Sequence, residues 1–346
     1  MQPANISKPS TNQLVDAFGR HINYLRLSVT DRCNLRCFYC IRAPIKHPTS
    51  NEILSLEELE LIARAFMKLG ITKIRITGGE PLVRRGILQL IADLDSSPNL
   101  HELDLTTNGV LLSQYARQIR YAGIDRINIS LDTLQPQRFN HRTGSDNLEK
   151  VFNGIEAARQ SGFARVKINA LITAGDNDDE VTQLIDFATE RGLDITFIEE
   201  MPLGGGVSSN NNQTKHGFVS SHDIRSLLPN SYQLMPAQTS TGGPARYYRR
   251  ANHSSDSLIG FISARSEHFC DTCNRIRLTA TGQMVLCLGH PHAVDLRYII
   301  RNYPGDEPAL LDAIRSGVSC KPWGHNFDQT ESVDTTPLRA MSTTGG

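Results

Sequence analysis

Residues 24–40 read YLRLSVTDRCNLRCFYC, and this stretch determines how the rest of the chain is interpreted. Apolar and polar residues alternate over residues 24–30, which predicts a β-strand. Directly after it come Cys33, Cys37 and Cys40, with the spacing C-x3-C-x2-C. Three thiolates can hold three irons of a [4Fe-4S] cluster, which normally takes four ligands, so one iron would stay open. A structural zinc loop and three unrelated buried thiols are the alternatives.

The composition limits the classes of function. Lys plus Arg and Asp plus Glu number 36 each among 346 residues, so the net charge offers no bulk attraction to nucleic acid. The chain has seven cysteines, six of them in two metal-like groups, and no secretory signal, which indicates a reducing compartment rather than a disulfide framework. No apolar stretch approaches the ~18 residues of a membrane span. We therefore expect a cytoplasmic protein that binds neither membrane nor nucleic acid.

Strand-like and helix-like segments alternate through residue 202. The first helix begins at a capping box of Ser55 and Glu58 and ends at Gly70. The six predicted strands span residues 24–30, 73–77, 103–106, 126–130, 166–170 and 194–199. This rhythm predicts an α/β fold with a parallel sheet. Because no dinucleotide glycine fingerprint is present, we favour an incomplete (β/α)6 TIM-like barrel over a doubly wound sheet, although the rhythm alone does not decide between them.

Candidate ligand-binding residues follow five of these strands. They are the Cys33 loop, Gly78-Gly79-Glu80-Pro81, Thr106-Thr107-Asn108-Gly109, Ser130-Leu131-Asp132 and Glu199-Glu200-Met201-Pro202. Ligands of α/β barrels bind at the carboxyl ends of the strands, so we expect these loops to form one site. Taken alone, Gly78-Gly79-Glu80 is equally well explained as a plain turn between a strand and a helix.

After residue 202 the rhythm ends in three glycines and a Ser- and Asn-rich stretch. We therefore predict a flexible N-terminal arm (1–15), a partial barrel (16–202) and a C-terminal α+β region (203–346). Six strands leave one side of a barrel open. We expect the C-terminal region to close that side.

A second group of thiols lies in the C-terminal region. Its members are Cys270, Cys273 and Cys287, with the spacing C-x2-C-x13-C. A closed zinc site would need a fourth ligand, such as Cys320, His268 or His290. The alternative is a second [4Fe-4S] cluster with an open iron.

Arg275 and Arg277 lie between these cysteines at alternate positions. On a strand, both side chains would point to the same side. Two guanidiniums beside an open cluster suit an anion such as a triphosphate, whose oxygens they can bind in pairs. The simpler explanation is a solvated strand face.

The first cysteine motif, with Tyr39 before its last cysteine, resembles the signature of the radical S-adenosylmethionine superfamily. Further stretches narrow the resemblance: Asp16-x2-Gly19-Arg20, KIRITGGEP (73–81), GPARYY (243–248), GFIS (260–263), CDTCNRIRLT (270–279) and a terminal Gly345-Gly346. Together these resemble the GTP 3′,8-cyclase family, which acts at the first step of molybdenum cofactor biosynthesis. The resemblance extends from residue 16 to the last residue.

The resemblance implies two [4Fe-4S] clusters and S-adenosyl-L-methionine as cofactors. The first cluster would cleave S-adenosylmethionine to a 5′-deoxyadenosyl radical, which removes the 3′ hydrogen of GTP. The ribose radical would then add to C8 of guanine, and reduction and protonation would give (8S)-3′,8-cyclo-7,8-dihydroguanosine 5′-triphosphate. The second cluster would hold GTP.

The same resemblance assigns roles to individual residues. Cofactor contacts fall on Tyr39, Gly78, Gly79, Glu80, Ser130 and Met201. Contacts to GTP fall on Arg26, Arg75, Thr106, Lys167, Arg275, Ile276 and Arg277. Catalytic roles fall on Arg26, Arg75, Gly345 and Gly346, of which the two glycines would reach into the active site. The implied partners are a reducing electron donor and a downstream cyclic pyranopterin monophosphate synthase, with the enzyme a monomer or a homodimer.

Two rival interpretations stay open at this point. One is another radical S-adenosylmethionine enzyme with an auxiliary cluster, such as a peptide maturase, and the other is a non-enzymatic module stapled by zinc. The motif G-x4-G-K-[S/T] is absent, which counts against an ordinary GTPase or kinase. Cys320 belongs to neither thiol group, and Thr344 stands where an aliphatic residue is expected.

Overall fold

A computed structural model of the chain describes residues 13–40, 47–203, 217–251, 255–325, 327, 339 and 341–345. Most of the predicted Asn-rich stretch, residues 1–12 of the predicted arm, and Gly346 lie outside these ranges. Leu14, which also falls in the predicted arm, is 3% exposed and belongs to the hydrophobic core.

The six predicted strands are all confirmed. They are β1 (Tyr24–Ser28), β2 (Lys73–Thr77), β3 (Glu102–Thr107), β4 (Arg126–Ser130), β5 (Arg165–Ile172) and β6 (Asp194–Glu199). The C-terminal region adds β7 (Leu234–Pro236), β8 (Arg246–Arg250), β9 (Ile259–Ile262), β10 (Arg275–Leu278), β11 (Gln283–Val285) and β12 (Ala293–Asp295). The described strands thus combine the predicted βα units with a strand-rich second half.

The twelve strands form one sheet in the order β12-β11-β10-β1-β2-β3-β4-β5-β6-β9-β8-β7. The eight central strands, from β10 to β9, are parallel. The strands β1 to β6 follow one another in chain order, without the reversal that defines a doubly wound sheet. The C-terminal region borders both edges of this parallel sheet, since β10 pairs with β1 and β9 pairs with β6.

Ten α-helices connect or cover the strands in the described part of the chain. They are α1 (Leu56–Lys68), α2 (Ile87–Asp95), α3 (Leu112–Tyr121), α4 (Pro136–Thr143), α5 (Leu148–Arg159), α6 (Val181–Glu190), α7 (Ser221–Ser226), α8 (Leu296–Asn302), α9 (Glu307–Ser319) and α10 (Met341–Thr344). The predicted capping box of α1 is confirmed, because Ser55 and Glu58 each accept a hydrogen bond from the other's backbone N–H. Among the described helices, none has both the length and the apolar character needed to span a bilayer.

The central strands carry different residues on their two faces. In β1, Leu25 and Leu27 are fully buried in the hydrophobic core, while Arg26 alternates with them. In β2, Ile74 and Ile76 join the same core. The alternate residues of both strands point to the opposite face. The central sheet therefore has one apolar face and one face with charged side chains. A ligand site is expected on the charged face.

Candidate active site

The polar faces of the central strands enclose one large cavity. Its volume is about 340 Å³, which is typical of a small-molecule site. Each of the five predicted loops contributes to its wall, through Cys33, Gly78, Thr106, Ser130 and Met201. The prediction that these loops meet in one place is therefore confirmed.

The first thiol group lies on the loop after β1. Cys33, Cys37 and Cys40 are half-buried, and all three line the cavity. The loop is held from behind, since the backbone N–H groups of Arg36 and Phe38 donate to carbonyls at the end of α4. Burial raises the pKa of the Cys33 thiol to about 11, so a bound metal would be needed to keep it as a thiolate.

A buried network supports this loop from below. The Tyr39 hydroxyl donates to Asp132 Oδ2 at 2.7 Å, and the same carboxylate accepts from the guanidinium of Arg142 at 3.3 and 3.4 Å. Arg142 is fully buried and also bonds to Asp176. Its guanidinium carbon lies 5.4 Å from the ring centres of both Phe38 and Tyr39. Asp132 and Arg142 therefore hold the cysteine loop in place through ionic, hydrogen-bond and aromatic contacts.

Gly78 and Gly79 line the cavity next to this loop. A Cβ atom on Gly78 would lie 2.7 Å from the carbonyl oxygen of Thr30, and one on Gly79 would lie 2.3 Å from that of Arg32. No side chain fits at either position, because the two backbones pack directly against each other. This close approach goes beyond what a plain turn requires, so the glycines shape the wall of the cavity.

Glu80 follows these glycines but lies behind the wall. It is fully buried and accepts hydrogen bonds from the backbone of Leu82 and from the backbone of Asn108, at 3.0 and 2.7 Å, and from the Thr107 hydroxyl at 2.8 Å. Burial raises the pKa of Glu80 to about 7, against the effect of these three donors. In this conformation Glu80 ties the second and third loops together, and Gly78 and Gly79 are the members of the motif that line the cavity.

Three arginines form a row across neighbouring strands. Arg26 is in register with Arg75 on one side and with Arg277 on the other, and all three line the cavity. Neighbouring strands are about 4.8 Å apart, so three like charges are crowded on one face. Burial, followed by the charges of Arg26 and Arg275, lowers the pKa of Arg277 well below its ordinary value. An anion bound at this row would relieve the repulsion.

A second row lies two residues nearer the amino ends of the same strands. Tyr24 is in register with Lys73 and with Arg275. Its hydroxyl accepts a hydrogen bond from Arg75 Nε at 2.7 Å. Although burial raises the pKa of Tyr24, the charges of Arg75, Arg26 and Lys73 outweigh it and lower the pKa to about 8. The surroundings of the Tyr24 hydroxyl therefore carry an excess of positive charge.

Acids of β3 balance part of this charge, since Glu102 binds Lys73 Nζ and Asp104 lies next on the same face of the strand. Asp104 of β3 is in register with Arg75, is fully buried, and binds Arg75 Nη2. Its carboxylate also lies 3.2 Å from Lys73 Nζ. Asp104 thereby fixes the position of the Arg75 guanidinium at the cavity.

The remaining predicted GTP contacts have different surroundings. Lys167 lines the cavity, and its Nζ donates to the Tyr247 hydroxyl at 3.1 Å. Arg275 also lines the cavity, with its guanidinium carbon 5.0 Å from the ring centre of Phe269. Ile276 alternates with the two arginines of β10, and its side chain is buried in the core.

Several buried polar atoms at the cavity have no hydrogen-bond partner among the described residues. They are Arg75 Nη1, Thr77 Oγ1, Thr106 Oγ1, Asn169 Oδ1 and Arg275 Nε. More than nine in ten buried polar groups of folded proteins are paired. The set includes guanidinium donors and oxygen atoms that can accept. The cavity therefore fits a polar ligand with negatively charged groups, which the guanidinium donors can bind.

The second thiol group lines the same cavity. Cys270, Cys273 and Cys287 are half-buried there, whereas Cys320 is exposed. Of the histidines considered as zinc ligands, His268 has a ligand atom within 4.8 Å of Cys270 Sγ, together with His325. His290 instead bonds to the Gly324 carbonyl at 2.8 Å. A single ion at His268, Cys270 and His325 would leave the other two cysteines unused, so three cavity-facing thiols fit a cluster better than zinc.

The two thiol groups lie at opposite ends of the same strands. Cys33 follows the carboxyl end of β1, whereas Cys273 precedes the amino end of β10, which is parallel to β1. The two rows of cations lie on the strands in between. Strand β1 has five residues, which at about 3.3 Å per residue makes roughly 17 Å of strand between the two cysteine loops. The cavity is thus a channel with thiols at each end and cations along its length.

The end of the chain also reaches this channel. Met341 and Ser342 line the cavity, and the Gly345 carbonyl accepts a hydrogen bond from Arg277 Nη1. Gly345 has φ of +77°, and a Cβ atom there would lie 2.0 Å from Thr77 Oγ1. The predicted partner glycine, Gly346, lies outside the described residues. Thr344, noted above as unusual, is fully buried.

Comparison with known proteins connects this geometry to a family. Residues 27–188 match the radical SAM superfamily, and residues 193–327 match Molybdenum Cofactor Synthesis C. GTP 3′,8-cyclase of Ectopseudomonas mendocina is 49% identical to the chain, with 97% of this chain and 99% of that protein covered. The chain belongs to the GTP 3′,8-cyclase family. GTP 3′,8-cyclase 2 of Pseudomonas aeruginosa is 48% identical, with 97% and 100% covered.

A solved structure shares the fold of this family member. Streptococcus suis SuiB bound to S-adenosylmethionine superposes with a TM-score of 0.61 over 90% of this chain and 75% of that one, at 16% identity. At that identity the likeness concerns the radical SAM fold alone. The mostly parallel α/β sheet that the sequence predicts is part of it.

Some residues at the site of this GTP 3′,8-cyclase family member were not predicted from the sequence. Asp104, Lys321 and Arg142 each hold a residue or loop of the cavity in place, yet none belongs to a cysteine, glycine or arginine motif. A signal existed for Asp104, because a charged residue at the centre of a buried strand needs a buried partner. For Lys321 and Arg142, which lie outside the strands, no comparable signal exists.

Proposed function

We propose that the chain binds two [4Fe-4S] clusters and S-adenosyl-L-methionine, and converts GTP to (8S)-3′,8-cyclo-7,8-dihydroguanosine 5′-triphosphate. This reaction is the first step of molybdenum cofactor biosynthesis. One observation carries the proposal: two groups of three thiols line the ends of one channel, with a row of arginines between them. Neither a zinc module nor a simple radical enzyme needs both features.

The residues of the first site would hold the first cluster and its cofactor. Cys33, Cys37 and Cys40 would hold three irons of this cluster and leave the fourth for S-adenosylmethionine. When bound, the pair would supply the radical chemistry that removes the 3′ hydrogen of GTP. Tyr39, Gly78, Gly79, Ser130 and Met201 would form the surrounding pocket, and Glu80 would hold the second and third loops together behind it. The two glycines let their loop pack directly against the backbone of Thr30 and Arg32, and this contact shapes the pocket.

The arginine row would bind the triphosphate. Arg26, Arg75 and Arg277 present guanidinium groups from three adjacent strands, and Arg275 and Lys167 extend the cationic wall. Phosphate oxygens match the fork of a guanidinium, and charge-assisted hydrogen bonds of this kind are among the stronger ones in proteins. Thr106 offers a hydroxyl without a partner among the described residues, and Ile276 provides apolar packing beneath the arginines. These cations would hold the triphosphate on the wall of the channel.

The second thiol group would hold the other end of the substrate. Cys270, Cys273 and Cys287 would hold a cluster at this end of the channel, next to the guanine base of the substrate. Because the two groups lie at opposite ends of β1 and β10, GTP would extend between them. Gly345 and Gly346 would close the channel and keep water from the substrate radical. Gly345 already contacts Arg277, one of the proposed triphosphate ligands.

The wider setting of the enzyme is also proposed. The parallel sheet would curve as an incomplete (β/α)6 barrel, because residues from β1 to β6 all line one cavity. The boundary between this barrel and the C-terminal region would lie at residue 202. The C-terminal strands at both edges would close the open side and carry the second cluster.

A reducing electron donor would supply electrons, and a cyclic pyranopterin monophosphate synthase would take the product. The enzyme would act as a monomer or a homodimer in the cytoplasm.

Anaerobic reconstitution tests the proposed function directly. We expect about eight irons per chain, four for each cluster, and conversion of GTP to the cyclised product with S-adenosylmethionine and a reductant. ATP, which shares the triphosphate but not the guanine base, serves as the matched control and should not be cyclised. A protein that binds zinc in place of iron, or that cleaves S-adenosylmethionine without changing GTP, would refute the proposal.

A further inference from the structure

The stretch Asp16-x2-Gly19-Arg20 has no role in the proposed function, yet it forms a tightly built turn. Asp16 Oδ1 accepts hydrogen bonds from the backbone N–H groups of Phe18 and Arg20, at 2.9 and 3.0 Å. Gly19 has φ of +80°, which favours glycine. The carboxylate therefore organises the turn and leaves its second oxygen for a charged partner.

That partner is the side chain of Arg20, which reaches far beyond the turn. Its Nε donates to Asp16 Oδ2 at 2.6 Å. Its Nη1 donates to the carbonyls of Cys270 and Trp323, at 2.5 and 2.6 Å, and its Nη2 donates to that of Pro322 at 2.7 Å. The exposed fractions of the Arg20 and Asp16 side chains are 6% and 0%. One buried guanidinium thus joins a carboxylate to three backbone carbonyls.

The segment that Arg20 holds also contacts the loop around Cys287. Lys321 is 3% exposed, and its Nζ donates to the carbonyl of Leu286 at 2.5 Å. Two residues after Pro322, a Cβ atom on Gly324 would lie 3.3 Å from Cys270 Sγ. Residues 321–325 are therefore packed against the loops that carry Cys270 and Cys287.

We propose that Arg20 is a positioning residue for the second cluster. It fixes the Cys270 loop to residues 321–323, while Lys321 fixes the same segment to the residue before Cys287. Together the two cations set the spacing of the thiols at that end of the channel. The inference rests on the proposed function, since it requires a cluster at the second thiol group. A lysine at position 20 keeps the charge but lacks the planar fork that reaches all four acceptors.

The effect should be confined to one end of the channel. Outer partners of metal ligands typically change metal affinity or activity by about 10- to 100-fold when they are replaced. We therefore expect Arg20→Met and Arg20→Lys to release the iron of the second cluster to a chelator about tenfold faster. The EPR signal of the reduced second cluster should shift, and the KM for GTP should rise more than kcat falls. Cleavage of S-adenosylmethionine at the first cluster should continue at the wild-type rate.

Arg301→Met provides a matched control. Arg301 also bonds to a carboxylate, that of Glu58, and to the backbone carbonyls of Asn51 and Ile53, but it contacts none of the cysteine loops among the described residues. Both variants lose a comparable set of hydrogen bonds. Only the Arg20 variants should change the second cluster, whereas both should lower the thermal unfolding temperature. An identical loss of thermal stability with unchanged EPR and GTP kinetics would show that Arg20 is merely structural.

A milder variant covers the case in which Arg20→Met does not fold. Asp16→Asn keeps an oxygen for the turn and replaces Oδ2, the acceptor of Arg20 Nε, by an uncharged NH₂ group that cannot accept. It should give the same changes at the second cluster with smaller size. Wild-type iron content and GTP conversion are measured in parallel, so that failure of the proposed function is distinguished from failure of this inference. An Asp16→Asn enzyme with unaltered second-cluster EPR would overturn the proposal.

Discussion

Arg26 and Arg277 are directly paired across the parallel strands β1 and β10, with both side chains on the channel face of the sheet. Pairing of like charges on neighbouring strands destabilises a sheet, because the side chains are held about 5 Å apart. Burial of Arg277 further destabilises its charged form, and the pKa of Arg277 lies well below its ordinary value. Such an arrangement favours ligand binding at the expense of stability.

Replacing Arg277 by methionine should therefore have two opposite effects. Loss of one charge-assisted contact should weaken GTP binding by ~1.5 to 3 kcal/mol, roughly ten- to a hundredfold, and less at high salt. The ligand-free protein should unfold at a higher temperature, since the repulsion with Arg26 is relieved. Loss of the hydrogen bond to Gly345 offsets part of that gain. Equilibrium titration with GTP and thermal unfolding without it measure the two effects.

Arg117→Met is the control for this experiment. Arg117 is an exposed residue of α3, on the outer surface. Its replacement removes the same charge from the chain, but it should change neither the free energy of GTP binding nor the free energy of unfolding by more than about 0.5 kcal/mol. Unchanged GTP affinity in the Arg277 variant would place that residue outside the substrate site.

The separation of the thiol groups predicts that their functions can be separated. Cys37→Ser should leave about four irons per chain, at the second site, and abolish formation of 5′-deoxyadenosine. Cys273→Ser should also leave about four irons, now at the first site, and keep cleavage of S-adenosylmethionine while GTP is no longer cyclised. Iron analysis and quantification of 5′-deoxyadenosine provide the measurements. Formation of 5′-deoxyadenosine by the Cys37 variant would contradict the assignment of the first site.

Glu80 predicts a dependence of stability on pH. Its pKa in the folded chain is about 7, above the ordinary value of a glutamate, because the carboxylate is buried. A raised pKa means that the stabilisation is present at low pH and is lost as the pH rises through about 7. Between pH 5 and pH 8, the ligand-free chain should lose up to roughly 3 kcal/mol of its free energy of unfolding. Urea denaturation across this pH range measures the loss.

Glu80→Gln should flatten that pH profile. The amide cannot ionise, so the pH-dependent part should disappear. The variant should be less stable at low pH, because its NH₂ would replace an oxygen that accepts a hydrogen bond, such as Oε2, which accepts from the Asn108 N–H. Thr189→Ala, a change at a buried residue of α6 that does not line the channel, should lower stability and keep the profile. An unaltered profile in the Glu80 variant would assign the titration to another group.

The regular parts of the fold could be predicted because they depend on local patterns. The strands alternate apolar and polar residues, and α1 begins at a capping box and stops at Gly70, which has φ of +95°. These signals need no knowledge of distant residues. The pairing of β10 with β1 was not predicted, because residues 275–278 are separated from β1 by about 250 positions and no short-range signal records that contact.

The residues of the candidate site also fall into those that could be predicted from the sequence and those that could not. The cysteines and arginines could be found because their residue types and spacings are unusual, and spacing on a strand decides which side chains share a face. The position of Glu80 behind the wall could not be found, since it depends on how two loops pack. The contact of Arg20 with Cys270 joins three distant segments, and an arginine in a loop carries no sign of such a partner.

Gly345 gives the last prediction. A methyl group there would lie 2.0 Å from Thr77 Oγ1 and 2.7 Å from Thr77 Cβ, and the residue has φ of +77°. Gly345→Ala should therefore displace the end of the chain from the channel and break its hydrogen bond with Arg277. Both clusters and cleavage of S-adenosylmethionine should be retained, while the amount of cyclised product falls at least tenfold, which corresponds to about 1.4 kcal/mol.

Gly305→Ala separates the clash from backbone strain. Gly305 has φ of +83°, but a Cβ atom there would meet nothing within 4 Å. This variant should lose about 1 kcal/mol of stability and no activity, because alanine is strained at positive φ wherever it stands. Deletion of residues 345 and 346 should reproduce the catalytic defect of Gly345→Ala without strain. If the deleted enzyme converts GTP at the wild-type rate, the contact of Gly345 with Thr77 and Arg277 has no part in the reaction, and the channel is closed by other residues.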